Sequence, residues 1–507
     1  MIYSMHGAAL KILFVTFCLC ISVAQTVHST ELASSKPDEL AARLVLYDGT
    51  GGASCSHFLA NALEWERKGG DWVDARGKRF GDHAYASATI GAQGAIWDVT
   101  DLAKKWFLTG VNRGSFFLKV VAGSGFAAFH SRESKSVADW PILELQFSNG
   151  VRKLLKPTAD TFLDCSTYTS LGTRTTIEIS RQRNVLLQFS LPDKVAGASL
   201  DRARLVLSAA GSPGGGVTQI GVFEIATPAF PQAQVQRGLA AKYVGDRGIE
   251  QDPEVIFSAK FDDSSSWRSG WAKESSGEVD IVSADTGLQF SPHFGSALRV
   301  NVKKGRNMAA DLRLKLKELG GEPDELFFRY YLRLASDWNP TIADGKLPGM
   351  VGTYNRAGWG GRRVDGTDGW SMRGSFTRGF EIANPLHGLT QLGSYAYHAD
   401  MQGTYGDIWQ WPGALLERNR WYSIEQYIRL NQPDTNNGIL KVWLDGRLLF
   451  AKTNLRLRTV DKLHIEWVWL DVYHGGAEVS LQDMHLYFDD VVVARKYVGP
   501  IANAGGQ

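Results

Sequence analysis

Residues 43–224 alternate short apolar runs with breaks of Gly, Ser and Asp: RLVLYDG, GSFFLKVV, PILELQF, TTIEIS, NVLLQFSLP and RARLVLSAA. Such runs, bounded by turn formers, predict strands, and a series of them predicts an all-β module. WDVTDLAKKWF departs from the pattern. There Thr100 or Asp98 caps a short helix that places Leu102 and Trp106 on one side. A stretch with Pro228 and Pro231, followed by residues 245–253, has no period of its own and predicts a linker. Beyond it the strands lengthen. In LFFRYYLRL, Leu326, Phe328, Tyr330 and Leu332 take one face, and Arg329, Tyr331 and Arg333 the other. In WYSIEQYIRLN, Ile424, Ile428 and Leu430 oppose Glu425, Tyr427 and Arg429, while ILKVWLDGRLLFA is a hairpin turning at Asp445-Gly446. Long antiparallel strands without helices between them predict a second all-β domain of the jelly-roll kind. The boundaries expected are a β-sandwich at 43–226, a linker at 227–253 and a jelly roll at 254–500.

A chain of 507 residues that is 44% hydrophobic is long enough for two such cores. With 21% charged residues and a net charge of +2 it has no large field of either sign, so nucleic acid is not an expected partner. Lys11 precedes an apolar run over residues 12–23, and Ser22-Val23-Ala24 fits a signal-peptidase site. That predicts a signal peptide at 1–24, a polar linker at 25–42, export, and no membrane attachment after cleavage. The run is shorter than the ~20 residues a spanning helix needs. Cys55 and Cys165 are then the cysteines of the mature chain; an oxidising compartment allows a disulfide between them, and two buried thiols are the alternative.

Candidate chemistry lies in the second half. Ser371 and Arg373 are two apart, as are Tyr395 and Tyr397, so each pair lies on one face of a strand; Lys346 stands before Pro348 and Gly349 in a tight loop. The polar faces of the long strands carry Arg329, Tyr331, Tyr427 and Arg429, and the Gly-rich loop 352–369 adds Trp359, Arg362 and Arg363. Rings stack on sugars and guanidinium forks pair with carboxylates, which suits a groove for an anionic polysaccharide. Uronic acid chains are cut by β-elimination. A base removes the C5 proton, an acid protonates O4, and cations neutralise the carboxylate; no metal or organic cofactor is required. Glu466 and Asp471, five apart, fall on opposite faces of a regular strand and do not form a glycosidase pair. Arg373 pairs with Asp368 or Glu381 if its role is only structural. His398 and Gln426 alternate toward the core, His387 belongs to a solvated loop, and His474 ends a strand at the rim of the groove.

Residues 346–476 resemble the alginate lyases of polysaccharide lyase family 14. The resemblance rests on GKLPGM, WSMRGSF, GSYAYHA, WYSIEQYIRLNQP, GILKVWLDGRLLF, NLRLR and a late strand ending in His474-Gly475-Gly476. It implies that Lys346, Ser371, Arg373, Tyr395 and Tyr397 are catalytic, with the other groove residues binding substrate. It departs in the segment 377–390, which is longer than usual, and in the strand IEWVWLD. The polymer implied is alginate, with glucuronan or another polyuronate as the alternative; a sugar-binding protein without activity is the alternative from another class. The N-terminal region resembles the DNRLRE modules related to carbohydrate-binding module family 96, through ADTFLD, LLQF, WDVTDL and FHSRE followed by Pro141. In those modules the ADT piece comes first and the WDVT and SRE pieces last; here the order is swapped, which leaves open a permuted module or two partial ones. No ligand spacing supports calcium there, and the protein is expected to be a monomer.

Overall fold

The alternation of Leu326, Phe328, Tyr330 and Leu332 builds the larger core. All four are buried between two antiparallel sheets in the computed structural model, which describes residues 44–502 except 61, 194–196, 217, 229–233, 264, 266–267 and 274–277. The signal peptide expected at 1–24 and the linker expected at 25–42 lie outside the described residues. One sheet runs, in spatial order, Glu278–Val282, Ala297–Val302, Met484–Ala494, Glu325–Leu334, Trp421–Arg429, Gly438–Leu444 and Arg447–Leu455, with Val255–Ala259 also paired to Met484–Ala494. The other runs Trp271–Lys273, Met308–Lys315, Trp467–Tyr473, Gly345–Gly352, Trp370–Phe376, Thr390–Tyr397 and Asp407–Leu416. This is a jelly-roll sandwich. The hairpin turns at Asp445 and Gly446, both at positive φ (48° and 76°), as a two-residue turn of this kind requires. Below, these are the eight-stranded and the seven-stranded sheet.

Around Arg329 the outer face of the eight-stranded sheet is covered. Arg329 is fully buried there, ion-paired with Asp246 and donating to the carbonyls of Asp490 and Gly499. The Tyr331 hydroxyl accepts the Ile501 N–H at 2.9 Å, and Glu425 accepts the N–H groups of Val498 and Gly499 at 2.7 and 2.8 Å. Burial pushes the Glu425 carboxyl up to about 7 against those two donors. Leu239, Ala240 and Ile249 pack on Val492, Ala494 and Val498 beside them. Arg329, Tyr331 and Glu425 thus answer a covering chain segment, not solvent.

The N-terminal strands form one sandwich around a single core drawn from Ala95 to Val222. One sheet holds Pro157–Asp164, Arg183–Ser190, Arg113–Gly123 and Thr218–Ile225; the facing one holds Gly94–Asp98, Leu200–Ser208, Ile142–Phe147 and Arg152–Leu155. The Arg132 N–H, in the SRE piece, donates to the Asp160 carboxylate, in the ADT piece, at 2.8 Å, so the swapped motif pieces meet in one body. The predicted helix is Thr100–Thr109. Asp98 accepts the Thr100 N–H at 3.1 Å, and Leu102, Ala103 and Trp106 are buried. RLVLYDG is not a strand: the Tyr47 carbonyl closes a turn onto Ala53, and the Asp48 carboxylate holds the Asp160 N–H at 3.0 Å. Cys55 and Cys165 are bonded.

A third cluster joins the two sandwiches. Leu46, Phe58, Leu63, Trp65, Phe117 and Phe223 pack against Leu386, Leu389 and Leu415. The first two of those leucines come from the segment 377–390. That segment docks the two sandwiches on one another.

Candidate active site

Register brings the two sequence pairs together. On the seven-stranded sheet Arg373 is opposite Tyr395 and Ser371 opposite Tyr397, so all four point away from the core, while Met372, Ala396 and Trp370 point into it. Lys346 comes from the next strand, not from a loop. It is opposite Tyr473 on one side and Ser375 on the other. Regular alternation would place Lys346 and Gly349, three residues apart, on opposite faces. The register shifts between Leu347 and Gly349, so an extra residue is inserted at Pro348 and both end on the site face. A proline is tolerated within a central strand at such a bulge, where its missing N–H breaks no ladder. The Pro348 carbonyl is in turn held from behind by the buried Gln426 amide at 2.9 Å.

The cluster is tight and nearly closed, and none of the five candidates is more than 5% exposed. The Lys346 ammonium lies 4.1 Å from the centroid of the Tyr395 ring, the Arg373 guanidinium 5.5 Å from it, and the two tyrosine rings meet edge to face at 5.7 Å. Lys346 donates to the Asp344 carbonyl at 2.6 Å and to its carboxylate at 3.3 Å. Burial, with Arg373 adding to it, holds the Lys346 amine below the usual lysine range despite Asp344. Burial holds the Tyr395 phenol well above its usual range, and Tyr397 adds to this while Arg373 opposes it. Both hydroxyls accept a backbone N–H: Tyr397 from Gly361 at 3.1 Å, Tyr395 from Gly406 at 3.2 Å.

Ser371 is engaged by the protein itself. Its hydroxyl donates to the Gly358 carbonyl at 2.6 Å, so it anchors the loop 353–369 over the Tyr397 end of the sheet. The same loop carries Trp359, half-buried under the Arg362 guanidinium at 4.3 Å, and the exposed Arg363, which donates to the Met401 carbonyl. Trp359, Arg362 and Arg363 therefore flank the cluster.

The other expected substrate-binding residues are elsewhere. Arg329 and Tyr331 are buried on the outer face of the opposite sheet. Tyr427 and Arg429 share that face, Tyr427 stacking on Phe327 at 4.4 Å and bonding Glu325, Arg429 reaching the Asn437 carbonyl. Their Arg- and Tyr-rich pattern resembled a groove, but it lies across the core from Arg373. His474 is buried past the strand end, its backbone N–H on the Asn307 carbonyl at 2.6 Å and its ring toward the Glu478 carbonyl, so it forms no rim. His398 is buried against Asp407 at 2.8 Å, and His387 is exposed.

Sequence reasoning passed over Asp471. It is fully buried and accepts from Arg373 Nη1 at 2.9 Å, displacing Asp368 and Glu381 as the arginine's partner. Burial pushes its carboxyl up to about 6, although Arg373 opposes this. Trp469, 5.1 Å from the Arg373 guanidinium, and Tyr473, 5.7 Å from Lys346, lie on the same face. Trp467, Trp469, Asp471 and Tyr473 are spaced by two, the signal already used for the other pairs. Among the described residues no group of His, Cys, Asp or Glu is arranged to hold a metal ion.

Residues 295–491, which include every strand bearing a candidate catalytic residue, match the family model described as Polysaccharide lyase 14. This segment is a polysaccharide lyase 14 domain. No curated protein matches the chain. Among solved structures, the marine PL-14 alginate lyase from Aplysia kurodai is 18% identical with a TM-score of 0.38, covering 47% of this chain and 98% of that one. An alginate lyase from Chlorella virus is 15% identical with a TM-score of 0.34, over 48% of this chain and 100% of the other. An endo-beta-1,4-glucuronan lyase from the fungus Trichoderma reesei is 19% identical with a TM-score of 0.31, over 44% and 89%.

Proposed function

We propose that the lyase domain cleaves a uronic acid polymer, alginate before other polyuronates, by β-elimination at the cluster of Lys346, Arg373, Tyr395 and Tyr397. The observation that carries this reading is their convergence on one sheet face, with two cations within 6 Å of the Tyr395 ring. Arg373 binds the carboxylate next to C5 and stabilises the charge that develops as the proton leaves. Tyr395, whose phenol burial keeps protonated, is the acid that protonates O4 as the C4–O4 bond breaks. Tyr397, its oxygen steadied by the Gly361 N–H, takes the C5 proton, and Lys346 supplies positive charge beside the Tyr395 ring. Ser371 acts through the loop that it anchors.

We also read the chain as exported, with a carbohydrate-binding-like sandwich at 43–226, a connector at 227–253 and the lyase at 254–500. The Cys55–Cys165 bond supports an oxidising compartment, and the separate cores of the two sandwiches support the division.

The test is the ultraviolet absorbance of the unsaturated product, with alginate, polymannuronate, polyguluronate and glucuronan offered separately. Alginate or one of its blocks should give the fastest rise. Tyr397→Phe and Lys346→Ala should each lower that rate at least ~100-fold while the protein stays folded. No rise on any polymer, with binding retained, would leave a sugar-binding protein in place of an enzyme.

A further inference from the structure

The Arg373 guanidinium already has a carboxylate partner before any substrate arrives. Arg373 and Asp471 are not on neighbouring strands: Gly345–Gly352 lies between them, and the residue in register with Arg373 on one side and Trp469 on the other is Gly349. The arginine therefore crosses a whole strand to reach Asp471, at Gly349, where no side chain stands in the way. The contact is single, from Nη1 to Oδ2 at 2.9 Å. Arg373 Nε and Asp471 Oδ1 are both buried without a hydrogen-bond partner. Half of a bidentate fork is thus unused on each side.

The charged and titratable groups around Asp471 come from every strand packed on it. Asp311 is directly opposite on Met308–Lys315, but it is engaged by Arg313 at 2.9 Å and by the Trp469 indole at 2.7 Å. Lys346, on the intervening strand, is held by Asp344. Tyr473 is two residues along on the same strand, bonded to Asn307 and the Gly476 carbonyl. Arg373 is the group hydrogen-bonded to Asp471 and the larger compensating charge, with Lys346 adding to it.

We propose that Asp471 is a positioning residue for the lyase reaction: it holds the Arg373 guanidinium in the empty site and takes up a proton from solvent when a uronate carboxylate docks on that guanidinium. The proposal rests on the lyase reading above. Its physical basis is that two carboxylates on one guanidinium repel, so one of them becomes neutral. The more deeply buried of the two takes the proton, and Asp471 is fully buried while the sugar carboxylate comes from solvent. The carboxyl of Asp471 is already displaced upward by burial, which lowers the cost of this step. The sign follows from linkage. The bound state holds more protons than the free state, so affinity is constant below about pH 6 and falls as pH rises above it, by up to about tenfold per pH unit.

The experiment uses the full chain carrying Tyr397→Phe to stop turnover, titrated calorimetrically with a short oligomannuronate near pH 7 in two buffers of different ionisation heat. Uptake of about one proton per bound chain is expected, and none after Asp471→Asn is added. In the catalytically competent protein KM should rise with pH, and with Asp471→Asn alone it should become flat; a merely structural role for Asp471 would not flatten it. Should the asparagine variant fail to fold, difference infrared on the protein that retains Asp471 decides the matter, because a protonated-carboxyl band must appear on binding. Binding without proton uptake, or uptake unchanged by Asp471→Asn, overturns the exchange and leaves the lyase reading standing. Failure of every uronate oligomer to bind overturns the lyase reading and the exchange with it.

Discussion

Replacing Gly349 by alanine tests whether the spacing of the site strands, rather than the identity of the catalytic groups alone, sets the rate. A methyl group at this position would stand 2.2 Å from the Met372 carbonyl oxygen and 2.5 Å from Arg373 Cα, where real Cβ contacts essentially never fall below 3.0 Å. Both obstacles are backbone atoms of the adjacent strand, so no rotamer relieves them. The strands must part by roughly 1 Å, and they part between Lys346 and Arg373. A misplacement of about 1 Å lowers a rate by about a hundredfold even when every reacting group is present. Overpacking of this kind costs about 1–3 kcal/mol of stability, which leaves the domain folded. Initial rates of unsaturated product formation, with thermal unfolding alongside, give both numbers. Gly211→Ala is the control: nothing lies within 4 Å of its Cβ, and neither number should move. A folded Gly349→Ala protein with kcat within about threefold of the native value would refute the reasoning, since the groups would then tolerate the displacement.

Three further outcomes are expected. Cys55→Ser opens a link between residues 110 apart and should lower stability by about 5 kcal/mol, read by denaturant unfolding, with kcat unchanged because the bond is remote from the lyase sheet. Leu386→Ala removes a fully buried side chain from the cluster that joins the sandwiches and should cost about 2–5 kcal/mol; an unchanged unfolding midpoint would show that the segment 377–390 does not dock. Burial pushes the Asp160 carboxyl up to about 8, with Glu133 and Asp48 adding to the shift. The unfolded chain ionises this group first, so native stability falls as pH rises from about 4 through 8, and Asp160→Asn should flatten that decline in melting temperature.

Most of the fold was legible because its signals are local. Period-two alternation at 326–332 and 424–430 placed the right residues in the core, and Asp445-Gly446 marked its turn, since each depends on a few neighbouring residues. Misplacement of Arg329 and Tyr331 has a physical cause. Alternation says which residues share a face but not what covers that face, and the cover here comes from residues 239–252 and 498–501, remote in sequence. Lys346 shows the complementary limit. Its face depends on a bulge at Pro348, and only pairing with the neighbouring strand reveals that one residue is skipped.

Asp471 marks where the site itself ceased to be legible. Its spacing from Trp469 and Tyr473 placed it on a polar face, yet its partner Arg373 lies 98 residues away and two strands over. Such a pair forms only because Gly349 leaves the intervening strand bare, so the same glycine that sets the strand spacing also decides whether the arginine is compensated. The two perturbations are therefore coupled. Gly349→Ala should move Arg373 away from Asp471 and weaken the pH dependence of KM together with kcat, whereas Asp471→Asn should remove the pH dependence without parting the strands. Comparing the two separates misplacement of the catalytic groups from loss of the counter-charge beneath them.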